Sequence, residues 1–503
     1  AQVRAEILGG DDMFKSLIAK IRQVMYQMGL LKGIERLSQH KDITMNEEMF
    51  QQIEVWKSLY KGYYEKWHSI TYQTVEGRKQ RIMESLNMAK ASAAEMASLV
   101  FNEKCEISIS DDTLAENIEE VFKQNKFYKK FQDYLEYSFA LGGMVIKPYV
   151  KDEKIMLSFV TADCFIPLSW QNETIYEAVF PSEYKKGDKK YTHLEWHVWE
   201  DGEYVIRNEL YESNGQDLGI KVALSTLFPD LEEEVRISGL SKPIFTYFKP
   251  NTANNIDTQS PLGISIYANA LDTMKAIDTA FDSLHREFRL GKKRIIVPAH
   301  MVQVVNDPLT GEPLRYFDPS DEVYEALNTD SIDDANIKDI KTELRVEEHV
   351  SAINALLNLF AMQTGFSAGT FSFDGQSVKT ATEVVSENSK TFKSKKSHEI
   401  IIESGLQELI ESIVAIAELY SLFSAPEEYE IAVSFDDSIV EDENAEINKQ
   451  IQLVTNKLQS KKRAIMKIHG LTEKEAEELI QEINEETATA TAESVDFFGG
   501  SGS

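Results

Sequence analysis

The chain has 503 residues, 53 of them basic and 83 acidic, for a net charge of −30. At roughly 150 residues per domain this length holds about three domains and a sizeable core. With 42% hydrophobic and 10% aromatic residues the acidity belongs on a folded surface rather than in a solvated tail. A tight, sequence-specific reader of duplex DNA is excluded, because Lys and Arg neutralising phosphates supply most of such affinity.

Cys105 and Cys164 are too few for a disulfide scaffold and lack the paired spacing of a zinc site, so both are expected to be buried apolar residues in a reducing compartment. The chain opens Ala1-Gln2-Val3-Arg4 without an apolar signal segment. Its greasiest stretch, Ile400 to Leu422, carries Glu403, Glu408, Glu411 and Glu418, which predicts no membrane span and a protein assembled in a cytosol.

Residues 13 to 100 are predicted helical: Phe14, Leu17, Ile18, Ile21, Val24, Met25 and Met28 recur at threes and fours, and Ile82, Leu86, Ala89, Met96 and Leu99 resume the pattern. The aromatic run Trp56, Tyr60, Tyr63, Tyr64 and Trp67 fits a core or subunit contact better than a ligand box. From Ile107 to Phe248 short alternating segments such as Met144 to Val150 and Tyr191 to Trp199, separated by turn signals, predict a β-rich region with one helix at about 114–141. Together these give a large α+β domain, ending near Lys249 to Pro261, where Pro, Asn and Thr break all periodicity.

Tyr267, Ala270, Met274, Ile277, Phe281, Leu284 and Phe288 then predict one helix of about 40 Å, closed by Gly291 and a basic cluster, Arg286, Arg289, Lys292, Lys293 and Arg294. Cations there complement the helix dipole. Strand-like residues 294 to 298, a turn at Asp307 to Gly311 and the acidic group Asp330, Asp333, Asp334 and Asp339 follow. Val346, Val350, Ile353, Leu357 and Phe360 predict a second helix that stops at Gly365. Residues 365 to 379, with three glycines, predict a mobile loop, and Thr380 with Glu383 a capping box opening a very long helix. The first half of that helix, Ser386 to Ser397, is polar nearly all round and must be packed by neighbours or exposed in an assembly. A strand at Tyr429 to Phe435, three short helices up to Glu485 and a disordered low-complexity tail complete the chain.

Catalytic signatures are missing. There is no G-x-x-x-x-G-K-S/T phosphate loop and no G-x-S-x-G nucleophile elbow. His193 and His197 alternate like strand residues, which places them about 13 Å apart, too far to share a zinc ion. The aspartates at 330–339 lack the glycine and terminal glutamate of a calcium loop. No metal, no cofactor and no catalytic residue is expected.

In the order of its segments the chain resembles the portal proteins of tailed bacteriophages, of the siphophage-like branch. The similarity runs from Glu54-Val55-Trp56-Lys57-Ser58-Leu59-Tyr60 through Leu141-Gly142-Gly143-Met144. It is densest in Pro261-Leu262-Gly263-Ile264-Ser265, in Gly291-Lys292-Lys293-Arg294 and in Lys379-Thr380-Ala381-Thr382-Glu383. The resemblance implies an α+β subunit of a ring, commonly of twelve copies, at one capsid vertex, through which double-stranded DNA enters and leaves without being read. It implies a wing at 1–260 with a return segment at 421–437, stem helices at 261–291 and 346–364, and a clip at 292–345. A tunnel loop at 365–379, a long helix at 380–420 linking tunnel to wing, a crown at 438–486 and a tail at 487–503 complete the division. It implies as partners the terminase, the head-tail adaptor, the scaffolding and major capsid proteins, and no membrane. Ser372, Gln376, Ser377 and Lys379 are the expected DNA-facing residues of the loop, offering hydrogen bonds and one charge to phosphates, and the basic cluster Arg286, Arg289, Lys292, Lys293 and Arg294 either lines the channel near the clip or only complements the helix dipole. The competing possibility is a cytosolic acidic α+β enzyme or regulator with an unrecognised site.

Overall fold

The computed structural model describes residues 37, 40–43, 46–74, 77–215, 217–229, 231–291, 294–296, 303–306, 311, 313–316, 338–340, 343–373, 389–435, 443–469, 476, 479–481 and 483. The helix expected at 13–28, Asp330, Asp333, Asp334, the 380–383 capping box and the tail at 487–503 lie outside them.

Helix α1 (Glu47–Tyr60) starts where the Asn46 side chain accepts the amide of Met49 at 3.2 Å, with two glutamates in its first turn. It buries Phe50, Ile53, Trp56 and Leu59. The aromatic run divides accordingly: Trp56 is wholly enclosed, whereas Tyr63 lies beyond the helix and is exposed. After the single turn α2 (Glu65–His68) comes an antiparallel hairpin of β1 (Ser69–Thr74) and β2 (Gly77–Ile82), where continuous helix was expected. Its middle residues are exposed and Ile82 is turned outward, so neither face shows the alternation that announces a strand.

Helix α3 (Met88–Val100) and strand β3 (Glu106–Ile109) precede α4 (Asp112–Asn125) and α5 (Phe127–Leu141). These last two replace the single helix expected at 114–141. Lys126 adopts the left-handed conformation between them, and the buried Asn125 side chain joins α4 to the next sheet, donating to Ile155 O at 3.0 Å and accepting from Leu157 N at 2.8 Å. The break lets Ile118 and Phe122 of one helix and Phe131 and Leu135 of the other reach one core.

Strands β4 (Met144–Lys151), β5 (Lys154–Thr161), β6 (Ile166–Gln171), β7 (Thr174–Lys186), β8 (Lys189–Glu200), β9 (Glu203–Ser213), β10 (Ile220–Val222), β11 (Glu234–Ile237) and β12 (Thr246–Phe248) form two antiparallel sheets. One has the order β12-β4-β5; the other runs β10-β9-β8-β7-β6, with β11 also paired to β9. Both cysteines are buried and free, as expected.

The Pro- and Asn-rich stretch from Lys249 to Pro261 is not a break in packing. Gly142 has φ +90, and a Cβ there would lie 2.5 Å from the carbonyl oxygen of Gly263; a Cβ on Gly263 would meet the Gly142 carbonyl at 2.4 Å. Only glycines allow this approach. The Tyr247 hydroxyl clamps it, donating to Gly142 O at 3.1 Å and accepting from Gly263 N at 2.9 Å. One hydrophobic core consequently runs from Leu37 to Ala417.

Helix α6 (Leu271–Leu290) is about 30 Å long and begins four residues after Tyr267, the first residue of the apolar pattern, because residues 261–270 are used in that junction and in a 3-10 turn. It is fastened to the β1–β2 hairpin through carboxylates. Asp278 meets the His68 ring at 3.1 Å and accepts from Leu86 N at 3.0 Å. Asp282 takes both terminal nitrogens of Arg81 at 2.7 Å each and the amide of Glu84 at 3.2 Å.

Beyond α6, β13 (Arg294–Ile296) is paired with the later β16 (Lys338–Ile340), and β14 (Gln303–Asn306) forms a hairpin with β15 (Pro313–Tyr316). The strand-like texture expected there is present. Helices α7 (Val346–Gln363) and α8 (Ser389–Leu419) follow. Strand β17 (Ile431–Ser434) then returns to β3, and the short helices α9 (Glu443–Thr455) and α10 (Lys461–His469) pack on each other. No described helix is long and apolar enough to cross a membrane.

Candidate functional site

The segment expected to carry function runs from α6 through α7 to the start of α8. Helices α6 and α7 pack antiparallel. At one end Arg345 grips the Glu287 carboxylate at 3.1 and 3.0 Å; at the other, α7 touches the 268–270 turn that precedes α6. The hydrogen bonds from Arg345 hold Glu287 below the usual carboxylate range. Ile353, Leu357 and Phe360, the stripe that identified α7 in the sequence, are buried inside the subunit.

Gly365, at φ +87, ends α7 and turns the chain back. Residues 366–373 were expected to be mobile; the structure ties them down. Phe366 is fully buried and its amide donates to Ala361 O at 2.8 Å. Two side chains one turn apart on α7 then hold the returning backbone: Asn358 accepts Gly369 N and Asn354 accepts Phe373 N, each at 2.8 Å. Phe371 packs on Phe360 and Phe366, and Phe373 lies 6.4 Å from the Phe281 ring of α6. Asn354 and Asn358 were not singled out in the sequence, although two asparagines four apart in the otherwise apolar run from Ala352 to Met362 are a usable signal.

Ser372 is exposed on this ordered return segment, whereas Gln376, Ser377 and Lys379 lie outside the described residues. Of the basic cluster, Arg286 and Arg289 are exposed on the last turns of α6 and ion-pair with no described residue. The backbone of Arg294 opens β13, opposite Ile340; Lys292 and Lys293 are outside the description.

The polar first half of α8 is packed by neighbours. Thr391, Lys395, His398 and Glu399 are all buried. Lys395 pairs with Glu399 one turn on, and Lys396 reaches the same carboxylate at 3.1 Å. The backbone amide of Asn251 donates to His398 Nδ1 at 3.0 Å, and the Asn251 side chain donates to Ser397 O at 2.8 Å. Burial pushes the His398 imidazole down to about 4, so it stays neutral and can accept that bond. On the apolar half, Leu406, Ile410, Ile413 and Ile416 are buried as expected, but Ile400 points out.

His193 and His197 both lie on β8, as the alternation required. Each has its own partners: His193 meets Asn208 at 3.0 Å, and His197 sits between Tyr204 at 2.8 Å and Glu195 at 2.7 Å. Although burial raises it, Glu195 is held well below the carboxylate range by Lys147, 2.8 Å away, and by His197. Among the described residues no three His, Cys, Asp or Glu side chains gather as a metal site.

Comparison with known families places this geometry. Residues 39–491 match a family model of phage portal proteins, a class of structural rather than enzymatic components of tailed phages. The particular family is described as phage portal protein, SPP1 Gp6-like, and the chain belongs to it. No curated protein matches significantly.

Proposed function

We propose that the chain is the subunit of a closed ring at one vertex of the capsid, through which double-stranded DNA is packaged and later ejected, with no catalysis of its own. The observation that carries this function is the continuous path from α6, through the 294–340 strands and α7, into the loop that leads to α8, in a chain matching the portal family over residues 39–491. On this assignment residues 1–260 with 421–437 form the wing, α6 and α7 the stem, 292–345 the clip and 438–486 the crown. Helix α6, the first stem helix on this reading, begins at Leu271. The clip would dock the terminase, which supplies the motive force, and afterwards the head-tail adaptor.

The loop at 365–379 would face the DNA, with Ser372, Gln376, Ser377 and Lys379 offering contacts to phosphates and none to base edges. Arg286, Arg289, Lys292, Lys293 and Arg294 would add cations at the other end of the stem. The net charge of −30 suits a passage, since an acidic wall repels a polyanion and keeps it sliding. Lys379→Ala is expected to lower the yield of packaged DNA while rings still form. Loss of rings in that variant would place Lys379 in subunit contacts instead.

A further inference from the structure

Asn214-Gly215 lies in the turn between β9 and β10, where the structure joins it to a short proton path. The Gly215 amide donates to Ser213 Oγ at 3.0 Å, and the Ser213 hydroxyl donates to Asp217 Oδ1 at 2.5 Å. A serine hydroxyl accepts and donates at once, so it links the amide proton to the carboxylate. Ser213 is buried, whereas Asn214, Gly215 and Asp217 are exposed to water. The carboxylate also lies beside the glycine: a Cβ on Gly215 would sit 3.4 Å from Asp217 Oδ1.

This turn favours attack by a backbone nitrogen on the neighbouring side chain. Glycine has no Cβ to shield its nitrogen from the preceding residue. The Asn214 side chain is held by no described residue, which leaves it free to bring its amide carbon to Gly215 N. An amide nitrogen is a weak nucleophile until its proton is taken, and here that proton already points at an acceptor backed by a carboxylate.

We propose that Asn214 is a site of self-modification, at which the chain converts its own asparagine to an acidic residue with water as the co-reactant. Gly215 N attacks Asn214 Cγ and a C–N bond forms, while the Gly215 proton passes through Ser213 Oγ to Asp217. The Cγ–Nδ2 bond then breaks, that proton joins the leaving nitrogen, and ammonia departs from a cyclic succinimide. Water opens the ring at either carbonyl, giving aspartate or isoaspartate. Nothing is oxidised or reduced, and Asp217 returns to its starting state. Each event adds one negative charge beside Asp217, in a turn closed tightly at Gly219, where a Cβ would lie 2.0 Å from Glu212 O. The reaction needs a single subunit and stands apart from ring assembly.

The test incubates the folded full chain in mildly alkaline buffer made with heavy-oxygen water and follows the peptide containing residue 214 by mass spectrometry. Replacement of the amide nitrogen by labelled oxygen at Asn214 is expected, faster than at the same residue in the urea-unfolded chain. Asp217→Asn should slow it by about tenfold, less than a fully aligned base contributes. Gly215→Ala, which the exposed turn has room for, should nearly stop it. Asp217 is exposed, so its variant interrupts the path without disturbing the core. A folded chain that keeps the Asn214 amide overturns the site. A folded rate no higher than the unfolded one, or an Asp217→Asn variant as fast as the parent, overturns the proton path.

Discussion

Ser367 and Thr391 hold each other by reciprocal hydrogen bonds: Ser367 N donates to Thr391 Oγ1 at 2.8 Å, and Thr391 N donates to Ser367 Oγ at 3.1 Å. Both residues are buried. They fasten the chain just after α7 to the first turn of α8, so the two ends of the segment between them are fixed relative to one another. We expect Ser367→Ala and Thr391→Val each to lower unfolding stability by about 1–3 kcal/mol, because each leaves a buried amide without its acceptor. The double variant should cost about the sum of the two, since each change orphans a different amide. Urea unfolding of all three checks this; a double variant no worse than either single one would show that the second amide finds another partner once the first bond is gone.

His398 should make stability depend on pH. Its folded value, about 4, lies below the ordinary imidazole value of 6.5. The unfolded chain therefore takes up this proton first as pH falls. The contribution is fully present above about pH 6.5 and is lost progressively toward pH 4, amounting to roughly 3 kcal/mol when complete. His398→Gln should flatten the unfolding midpoint against pH in that window. The remaining slope would come from His193 and His197, which burial also holds low against the opposing pull of Glu195. An unchanged profile in the variant would show that His398 is not held neutral.

The β1–β2 hairpin owes its order to α6, since two strands alone are marginal in water. Asp282 serves Arg81 and the amide of Glu84 together, so Asp282→Ala should cost about 2–3 kcal/mol and Arg81→Ala about 1 kcal/mol. Burial works against the Asp282 carboxylate, but Arg81 and the Glu84 amide hold it below its ordinary 3.8. Its contribution is present above that value and is lost as pH falls through the lower folded one. Amide exchange over residues 69–82 should accelerate most in Asp282→Ala. Equal effects of the two substitutions would mean that the amide contributes nothing.

Much of this fold was legible in the sequence where burial is one-sided. The spacing of Val346, Val350, Ile353, Leu357 and Phe360 identified α7, the alternation around His193 identified β8, and Gly365 marked the helix stop. The hairpin at 69–82 was not legible, because both of its faces are exposed. The division of α4 from α5 turns on a lysine at positive φ, a conformation no side chain of that type announces. The pairing of β3 with β17 joins residues more than 300 positions apart, and neither strand signals the other. The order of residues 366–373 depends on Asn354 and Asn358, whose role appears only when the chain folds back over them.

Ring formation is the central claim, and electron microscopy of the purified full chain tests it most directly. We expect closed rings of one size with a central hole, wide enough for duplex DNA, persisting on dilution. A uniform population of single subunits at every concentration would contradict it.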